Sequence, residues 1–172
     1  MRRTQLAEEY CSIARAGAQL VDAWTLMILR ELFLSNRSFE GIRQQTGMAP
    51  ASLAARLGGL EEAGILERRS PKDKPRKAQY LLTEKGLELW PAIIAIKQWG
   101  DKWFGPWADD QPPVVLEHKG RDHPLVVQVT CACCGEPVSA NESLAQVSPV
   151  FAERRNEQQK AAKAARREET GK

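Results

Sequence analysis

FEGIRQQTGMAPASLAARLGGLEEAG, residues 39–64, predicts two short helices that are joined by a tight turn. Ser38 precedes the first helix as an N-cap, and Gly47 ends it as a C-cap. Pro50 suits the first turn of the second helix, and Gly64 suits its C-cap. The second helix has an apolar stripe at i, i+4 and i+7, formed by Leu53, Leu57 and Leu60. Two short helices around such a turn are the helix-turn-helix arrangement.

The residues that follow predict a β-hairpin with a charged tip. ILERR (65–69) and AQYLLT (78–83) have the composition of strands, and SPKDKPRK (70–77) supplies the turn formers. The run 68–77 holds six basic residues and one acid, Asp73. Helix, turn, helix and hairpin in this order predict a winged helix, a mainly α fold with a small β-hairpin wing. In that architecture the second helix enters the major groove, and the wing reaches the neighbouring backbone.

Three further segments predict helices around this motif. Residues 6–20 carry apolar side chains at helical spacing, and residues 24–34 are apolar nearly all round, with Asp22 as an N-cap. Residues 82–107 predict a long helix that starts at the N-cap Thr83 and is kinked at Pro91. Its apolar stripe is too wide for the core of a small domain. We therefore predict that this helix and the first one form a homodimer interface.

The composition fits a globular protein of the cytoplasm. Of 172 residues, 42% are hydrophobic and 27% are charged. Glu8 and Glu9 follow the basic start before any apolar run, which excludes a secretory signal. The longest apolar stretch contains Arg30 and Glu31 and is too short for a bilayer, so no membrane association is expected. Four unevenly spaced cysteines without an export signal favour reduced thiols.

Charge and composition predict three parts of the chain. We expect a winged-helix domain at residues 1–107, a small β-rich hairpin extension at 108–151, and a charged, flexible tail at 152–172. The first part carries 16 basic and 12 acidic residues, the second 2 and 6, and the third 7 and 4. The extension alternates apolar segments with turns, whereas the tail has almost no large apolar residue.

The predicted second helix of the motif has a face that suits DNA. Opposite the leucine stripe lie Ser52, Ala55, Arg56 and Gly59. This face is small and polar with one long cation, and it can lie against a groove without steric obstruction. Arg56 has two interpretations, because it can contact a base or phosphate, or pair with an acid such as Glu40 and anchor the helix.

Five blocks of the sequence carry a family resemblance. They are CSIARAGAQLVDAWTLMILRELFL, FEGIRQQTG, SLAARLGGLEEAGILERR, YLLTEKGLEL and WGDKW, in this order between residues 11 and 103. Together they resemble the HxlR family of bacterial winged-helix transcription regulators. The resemblance implies a regulator of the MarR-like class that forms a homodimer through its terminal helices. It also implies double-stranded DNA with an inverted-repeat operator as the partner.

The resemblance assigns roles to individual residues. Ser52 and Arg56 would face bases or phosphates, and Arg43 and Gln44 on the preceding helix are further candidates. The wing would be held on the phosphate backbone by Lys72, Lys74, Arg76 and Lys77. Cys11 matches the thiol with which some members sense electrophiles or oxidants. A cysteine on an apolar helix face is also a common small core residue, so both interpretations stay open.

CACCG, residues 131–135, looks like one knuckle of a zinc ribbon, which needs two. The resemblance implies an upstream knuckle with a cysteine, but here the chain has HKGRDHP with Arg121 at that place. The available ligands would be His118, His123, Cys131 and Cys134. Their spacing is unusual for zinc, so we expect no metal and no cofactor, and an extension that is held together by packing.

The sequence argues against an enzyme and leaves one rival to a DNA-binding regulator. It contains no set of nucleophile, base and orienting group, no phosphate loop and no cofactor fingerprint. The rival is a protein-interaction module that uses a winged-helix scaffold without binding DNA. Only the regulator predicts DNA affinity that falls steeply with salt. A small-molecule or oxidant effector is compatible with the regulator, although no residue identifies the molecule.

Overall fold

The computed structural model describes residues 3–20, 22–70 and 77–170. The chain divides into two compact units, Met1–Gln128 and Val129–Lys172. The helices of the first unit are α1 (Arg3–Glu8), α2 (Ser12–Leu20), α3 (Ala23–Phe33), α4 (Phe39–Thr46), α5 (Pro50–Glu62), α6 (Glu84–Leu87) and α7 (Trp90–Trp103). Its strands are β1 (Leu66–Arg69) and β2 (Gln79–Leu82), and the second unit contains α8 (Pro149–Thr170). Domain boundaries at residues 107 and 151 stay a prediction.

The helix-turn-helix is formed by α4 and α5, and its predicted caps are confirmed at α4. Ser38 Oγ accepts a backbone N–H of the first turn at 3.0 Å. Gly47 ends the helix at φ +70°, a left-handed conformation that favours glycine. At the end of α5, Gly64 has φ +67°, and the Ile65 N–H donates to the Leu60 carbonyl at 2.9 Å. This Schellman motif turns the chain sharply from α5 into the hairpin.

The core packs α3 against α4, α5 and the hairpin. Its buried members are Ile28, Leu29, Leu32, Ile42, Met48, Leu53, Leu57, Leu60, Ile65, Leu66 and Tyr80. The leucine stripe of α5 lies within this cluster, so the helix is held by one face and leaves the opposite face outward. The contacts of α3 with several elements explain why its sequence is apolar nearly all round.

The wing is a two-stranded antiparallel hairpin of β1 and β2, with Arg69 opposite Gln79. On its other edge, β2 is joined to the start of α4 by a bridge between Gln79 and Ser38. The Tyr80 N–H also donates to the Arg37 carbonyl at 2.8 Å. β2 is therefore the middle of three paired chain segments. The predicted winged helix-turn-helix fold is confirmed.

Two predicted helices are each divided in two. Residues 9–11 separate α1 from α2, and Arg15 Nε donates to the Glu9 carbonyl there at 2.6 Å. The predicted long helix consists of α6, capped by Thr83 as expected, and α7. Pro91 lies in the first turn of α7. A backbone N–H has no intrahelical acceptor in that turn, so proline loses no hydrogen bond there. Pro91 therefore belongs to the start of a helix, and the predicted kink is wrong.

The β-rich extension predicted for residues 108–151 is not found in the described structure. Two isolated bridges, Glu117 with Pro124 and Thr130 with Pro137, take the place of strands. Each bridge includes a proline, which has no N–H to donate to a longer ladder. α8 covers most of the predicted flexible tail, and its Ala, Gln, Glu, Lys and Arg residues favour a helix. No helix of the described chain is long and apolar enough to cross a bilayer.

Candidate nucleic-acid interface

The outward face of α5 begins with small side chains. Residues 49–52, 54 and 55 are all exposed, and Ser52 is the largest polar group among them. Ala49 is the N-cap residue and has no side-chain hydrogen bond to the helix. Because no long side chain projects here, a phosphate backbone or a groove floor can approach the start of α5 closely. This geometry agrees with the face predicted from the sequence.

Arg56 follows on the same helix, where it is held by an acid of another element. Its Nε lies 3.1 Å from Asp22 Oδ1 and 3.2 Å from Asp22 Oδ2. The two side chains are only 28% and 31% exposed. Arg56 thus pairs with an acid, as one interpretation expected, but the partner is Asp22 and not Glu40. The two residues are 34 positions apart, so the sequence carries no local signal of this contact.

Asp22 joins the N-terminus of α3 to α5. It caps α3 through the Thr25 N–H at 3.1 Å and also accepts the Thr25 hydroxyl at 3.0 Å. Burial alone would raise the pKa of Asp22, but the bonds from Thr25 and Arg56 outweigh it and hold the pKa below its usual value of 3.8. Asp22 is therefore a carboxylate at neutral pH and fixes the position of Arg56.

Arg43 and Gln44 on α4 are both engaged by Glu40. Arg43 donates two hydrogen bonds to this carboxylate, at 2.9 Å from Nε and 2.6 Å from Nη2, and Gln44 Nε2 donates at 3.0 Å. The bonds from Arg43, and then from Gln44, lower the pKa of Glu40 to about 2. Glu40 therefore holds both side chains on the surface of α4.

The base of the wing is basic and exposed. Lys77 is exposed beside β2, and Arg68 and Arg69 are exposed on β1. Arg69 pairs with Glu67 on the same strand. The predicted contacts Lys72, Lys74 and Arg76 lie outside the described residues. Arg68 belongs to the basic run but not to the predicted contacts, and its exposed place on β1 makes it a further candidate.

A buried acid fixes the turn between α3 and α4, and no sequence pattern predicts its burial. Glu31 is 5% exposed, and it accepts hydrogen bonds from Arg30 Nη2 at 2.7 Å and Asn36 Nδ2 at 2.9 Å. A Cβ atom at Gly41 would overlap the Asn36 side chain, so α4 starts close against this turn. Glu31 thereby helps to fix where α4 starts relative to α3.

A cavity of about 360 Å³ lies between α3, α7 and residues 107–116. Its walls are mainly apolar and include Phe33 and Trp90, whose ring centroids are 5.0 Å apart. The charged groups at its edge are Arg30 and the pair Lys97 and Asp101, whose Nζ and Oδ2 are 2.5 Å apart. The volume and lining are those of a site for a small, largely apolar molecule.

An apolar surface continues along α7 to its C-terminal end. Ile96, Trp99, Trp103 and Phe104 are between 51% and 63% exposed. Ile13 of α2 is also exposed. Lys102 lies over one of these rings, with its Nζ 5.0 Å from the Trp103 ring centroid. Exposed apolar side chains grouped in this way are typical of a contact with another protein chain.

The four cysteines are free thiols in the structure. Cys11 is half-buried immediately before α2, whereas Cys133 and Cys134 are exposed. Within the described part of the chain, no three His, Cys, Asp or Glu side chains are grouped so that they could hold a metal ion. His118 and His123 lie with their ring centroids 5.4 Å apart.

Comparisons with known proteins agree with this geometry. The model of the HxlR-like helix-turn-helix family matches residues 19–107. The uncharacterised HTH-type transcriptional regulator Rv3095 of Mycobacterium tuberculosis is 32% identical over 140 residues, which cover 81% of this chain and 87% of that protein. The crystal structure of PA1607, a candidate transcription factor, has a TM-score of 0.72 at 31% identity and covers 84% of this chain and 99% of its own. PA1374 of Pseudomonas aeruginosa has a TM-score of 0.56 at 28% identity, with 81% and 93% covered.

The fold and the exposed recognition helix define a DNA-binding transcription regulator of the helix-turn-helix type and not an enzyme. The chain belongs to the HxlR-like helix-turn-helix family.

Proposed function

We propose that the chain regulates transcription as a homodimer that binds an inverted repeat, with one α5 in each of two successive major grooves. The observation that supports this most is the outward face of α5, where small exposed residues lead to Arg56. A helix with short side chains can enter a groove deeply, and an arginine at its middle can then reach a base edge.

Within this proposal, Asp22 positions Arg56 for DNA. The described hydrogen bonds of Arg56 use its Nε, so we assign Nη1 and Nη2 as the donors to a base or phosphate. Ser52 would contact a phosphate near the start of α5. Arg43 and Gln44 would contribute only where DNA displaces Glu40.

The wing would lie on the phosphate backbone beside the groove. Lys77 and Arg68 are exposed at its base. The cations predicted further along the wing are Lys72, Lys74 and Arg76. Each phosphate contact releases counterions from DNA, so binding through these side chains should weaken as salt is added.

A gel-shift titration with the promoter region that adjoins the chain's own gene tests the proposal at two salt concentrations. We expect a loss of affinity of at least about tenfold between 50 and 200 mM salt, and a similar loss when Lys72, Lys74, Arg76 and Lys77 are replaced by alanine. Arg56→Ala should weaken binding and relax the preference for this DNA over unrelated DNA. The matched control is Lys119→Ala with Arg121→Ala, which removes two exposed cations outside the motif.

The rival function is a protein-interaction module on the same scaffold. It would give weak binding that salt and the wing substitutions leave unchanged. That result would defeat the proposed DNA contacts, provided that circular dichroism shows the variants to be folded.

We further propose that a small aromatic molecule binds the cavity between α3 and α7 as an effector. Phe33 and Trp90 would stack on it. Arg30 connects the cavity edge to Glu31 of α3, which bonds Asn36 in the turn before α4. An anilinonaphthalene sulfonate probe should fluoresce on binding to the wild type. Gly100→Leu, which fills the cavity, should abolish that signal, whereas equal fluorescence in both proteins would contradict this site.

Cys11 is proposed as an oxidant-sensing thiol on the strength of the family resemblance. It is half-buried at the joint of α1 and α2, so an adduct there would disturb the packing of α2. Peroxide should lower DNA affinity in the wild type and leave Cys11→Ser unaffected. An equal response of both proteins would refute the role.

A further inference from the structure

Three cysteines of the second unit lie in one closed turn. The Cys131 N–H donates to the Glu136 carbonyl at 2.8 Å, and the Gly135 N–H donates to the Cys131 carbonyl at 2.8 Å. Just outside, Thr130 and Pro137 form an isolated bridge. Gly135 has φ +78°, which allows the chain to reverse at this point. The turn therefore holds the cysteine side chains together by backbone bonds that do not involve any sulfur atom.

The turn also lowers the pKa of the Cys131 thiol. The backbone N–H groups of Cys134 and Cys133 contribute to this shift, and so do the thiols of both residues. Cys131 is half-buried, whereas Cys133 and Cys134 are exposed, so a small oxidant can reach the cluster.

We propose that Cys131 and Cys134 form a reversible dithiol–disulfide site that hydroperoxides oxidise. Cys131 is the attacking thiol, because the closed turn directs the backbone N–H groups of Cys133 and Cys134 to its side chain. Cys134 is the resolving thiol, because two residues separate it from Cys131, whereas the single residue between Cys131 and Cys133 leaves less room for disulfide geometry. Cys133 is a bystander.

The reaction proceeds in two steps. The Cys131 thiolate attacks one oxygen of the hydroperoxide, so that an S–O bond forms and the O–O bond breaks. The leaving alkoxide or hydroxide takes up a proton, and Cys131 becomes a sulfenic acid. The Cys134 sulfur, having lost its proton, then attacks the Cys131 sulfur, so that the S–S bond forms, the S–O bond breaks and water leaves. The two thiols give up two electrons in total, and the peroxide accepts them.

The test uses the full-length protein, reduced and then freed of reductant. It is treated with a small excess of hydrogen peroxide, alkylated, and mapped by peptide mass spectrometry. We expect the peptide with residues 131–134 to lose two hydrogens and to keep one alkylated thiol, and dithiothreitol should restore all three thiols. The same outcome is expected in a Cys11→Ser background, which separates this site from Cys11.

Single substitutions distinguish the members of the cluster. Cys133→Ser should form the disulfide as the wild type does. Cys134→Ser should stop at a Cys131 sulfenic acid that dimedone traps, and Cys131→Ser should give neither product. A disulfide that survives Cys134→Ser, or that disappears in Cys133→Ser, would overturn the assignment.

Two further results would overturn the site as a whole. One is a disulfide between two chains on a non-reducing gel that requires Cys131. The other is a metal ion in the native mass of the untreated protein that is lost in Cys131→Ser, because the thiols would then be ligands. All of these measurements follow thiols and mass, so they do not depend on DNA binding.

Discussion

The Asp22 carboxylate accepts hydrogen bonds both from Thr25 of the helix that it caps, α3, and from Arg56 of α5. Its cap of α3 was predictable, because an N-cap acts within three residues of sequence. The same holds for Ser38 and Thr83, which cap α4 and α6 as expected. The contact of Asp22 with Arg56 could not be predicted, because it depends on how α3 and α5 pack in three dimensions.

Asp22→Asn should separate the charge of Asp22 from its capping role, because asparagine is as good an N-cap as aspartate. The pKa of Asp22 is lowered in the folded protein, so the stabilisation by its charge is present above the usual pKa of 3.8 and is lost as pH falls through the folded value. We expect the free energy of unfolding of the wild type to exceed that of the variant by at most about 1 kcal/mol at pH 5–7, since the pair of Asp22 and Arg56 is partly exposed.

Urea denaturation of both proteins from pH 7 to pH 3 measures this difference in the free energy of unfolding. It should be constant down to about pH 5 and should shrink towards zero below pH 3.8. A difference that stays constant across the whole range would show that the charge of Asp22 does not stabilise the fold.

Gly86 is a residue where the packing allows no side chain. A Cβ atom there would overlap the backbone carbonyl oxygen of Ile65, which cannot move without disturbing the end of α5. Gly86→Ala should lower the free energy of unfolding by about 1–3 kcal/mol. Gly58→Ala is the control, because no described atom lies within 4 Å of its added Cβ, and it should stabilise α5 by about 0.5–1 kcal/mol. Thermal denaturation that shifts equally in both variants would contradict this interpretation.

At the scale of elements, the sequence predicted the type of each segment better than its ends. The residues of α6 and α7 have a continuous apolar pattern, so one helix was expected with a kink at Pro91. Periodicity alone cannot distinguish a kink from a new start, because both keep the apolar residues on one face. The prediction of strands in residues 108–151 is wrong for a different reason. The alternating apolar residues there suggest strands, but a proline lies in each of the two bridges and cannot donate to a longer ladder.

The start of α7 leads to a prediction about helix position. Pro91→Ala should change the free energy of unfolding by less than about 1 kcal/mol, because the first turn needs no N–H at that position. Ala95→Pro, one turn further and also exposed, should cost about 3 kcal/mol or more, since it removes an internal hydrogen bond. Chemical denaturation compares the two variants. Similar losses would mean that α6 and α7 act as one continuous helix.

At the scale of the whole molecule, the winged-helix core was predictable and the surroundings of the DNA face were not. The core follows from caps and stripes that each lie within one segment, as in the buried leucines of α5. In the proposed complex, the engagement of Arg56 by Asp22, and of Arg43 and Gln44 by Glu40, limits which of these side chains can contact DNA without first leaving an acid. Such pairing is a competition between several nearby groups, and a linear pattern does not resolve it.

The apolar surface on α7 predicts the assembly state. Trp103 is 62% exposed, and its replacement by glutamate would place a charge in the proposed contact between two copies. Trp103→Glu should convert the homodimer to a monomer in sedimentation velocity without loss of helix content. Leu144→Glu is the matched control, because Leu144 is 88% exposed and lies outside α7. The homodimer proposal fails if the wild type sediments as a monomer, or if the Trp103 variant stays dimeric.

The attachment of Ser38 to β2 bears on the entropy of DNA association. Because β2 is paired on both edges, the hairpin base and the start of α4 form one stiff joint before any partner arrives. A protein that is preorganised in this way loses little backbone freedom at that joint on binding. The distance between the proposed recognition helix and the base of the wing is then fixed before binding. We expect the chain to bind weakly to operators whose phosphate spacing does not match that distance, even where their bases are correct.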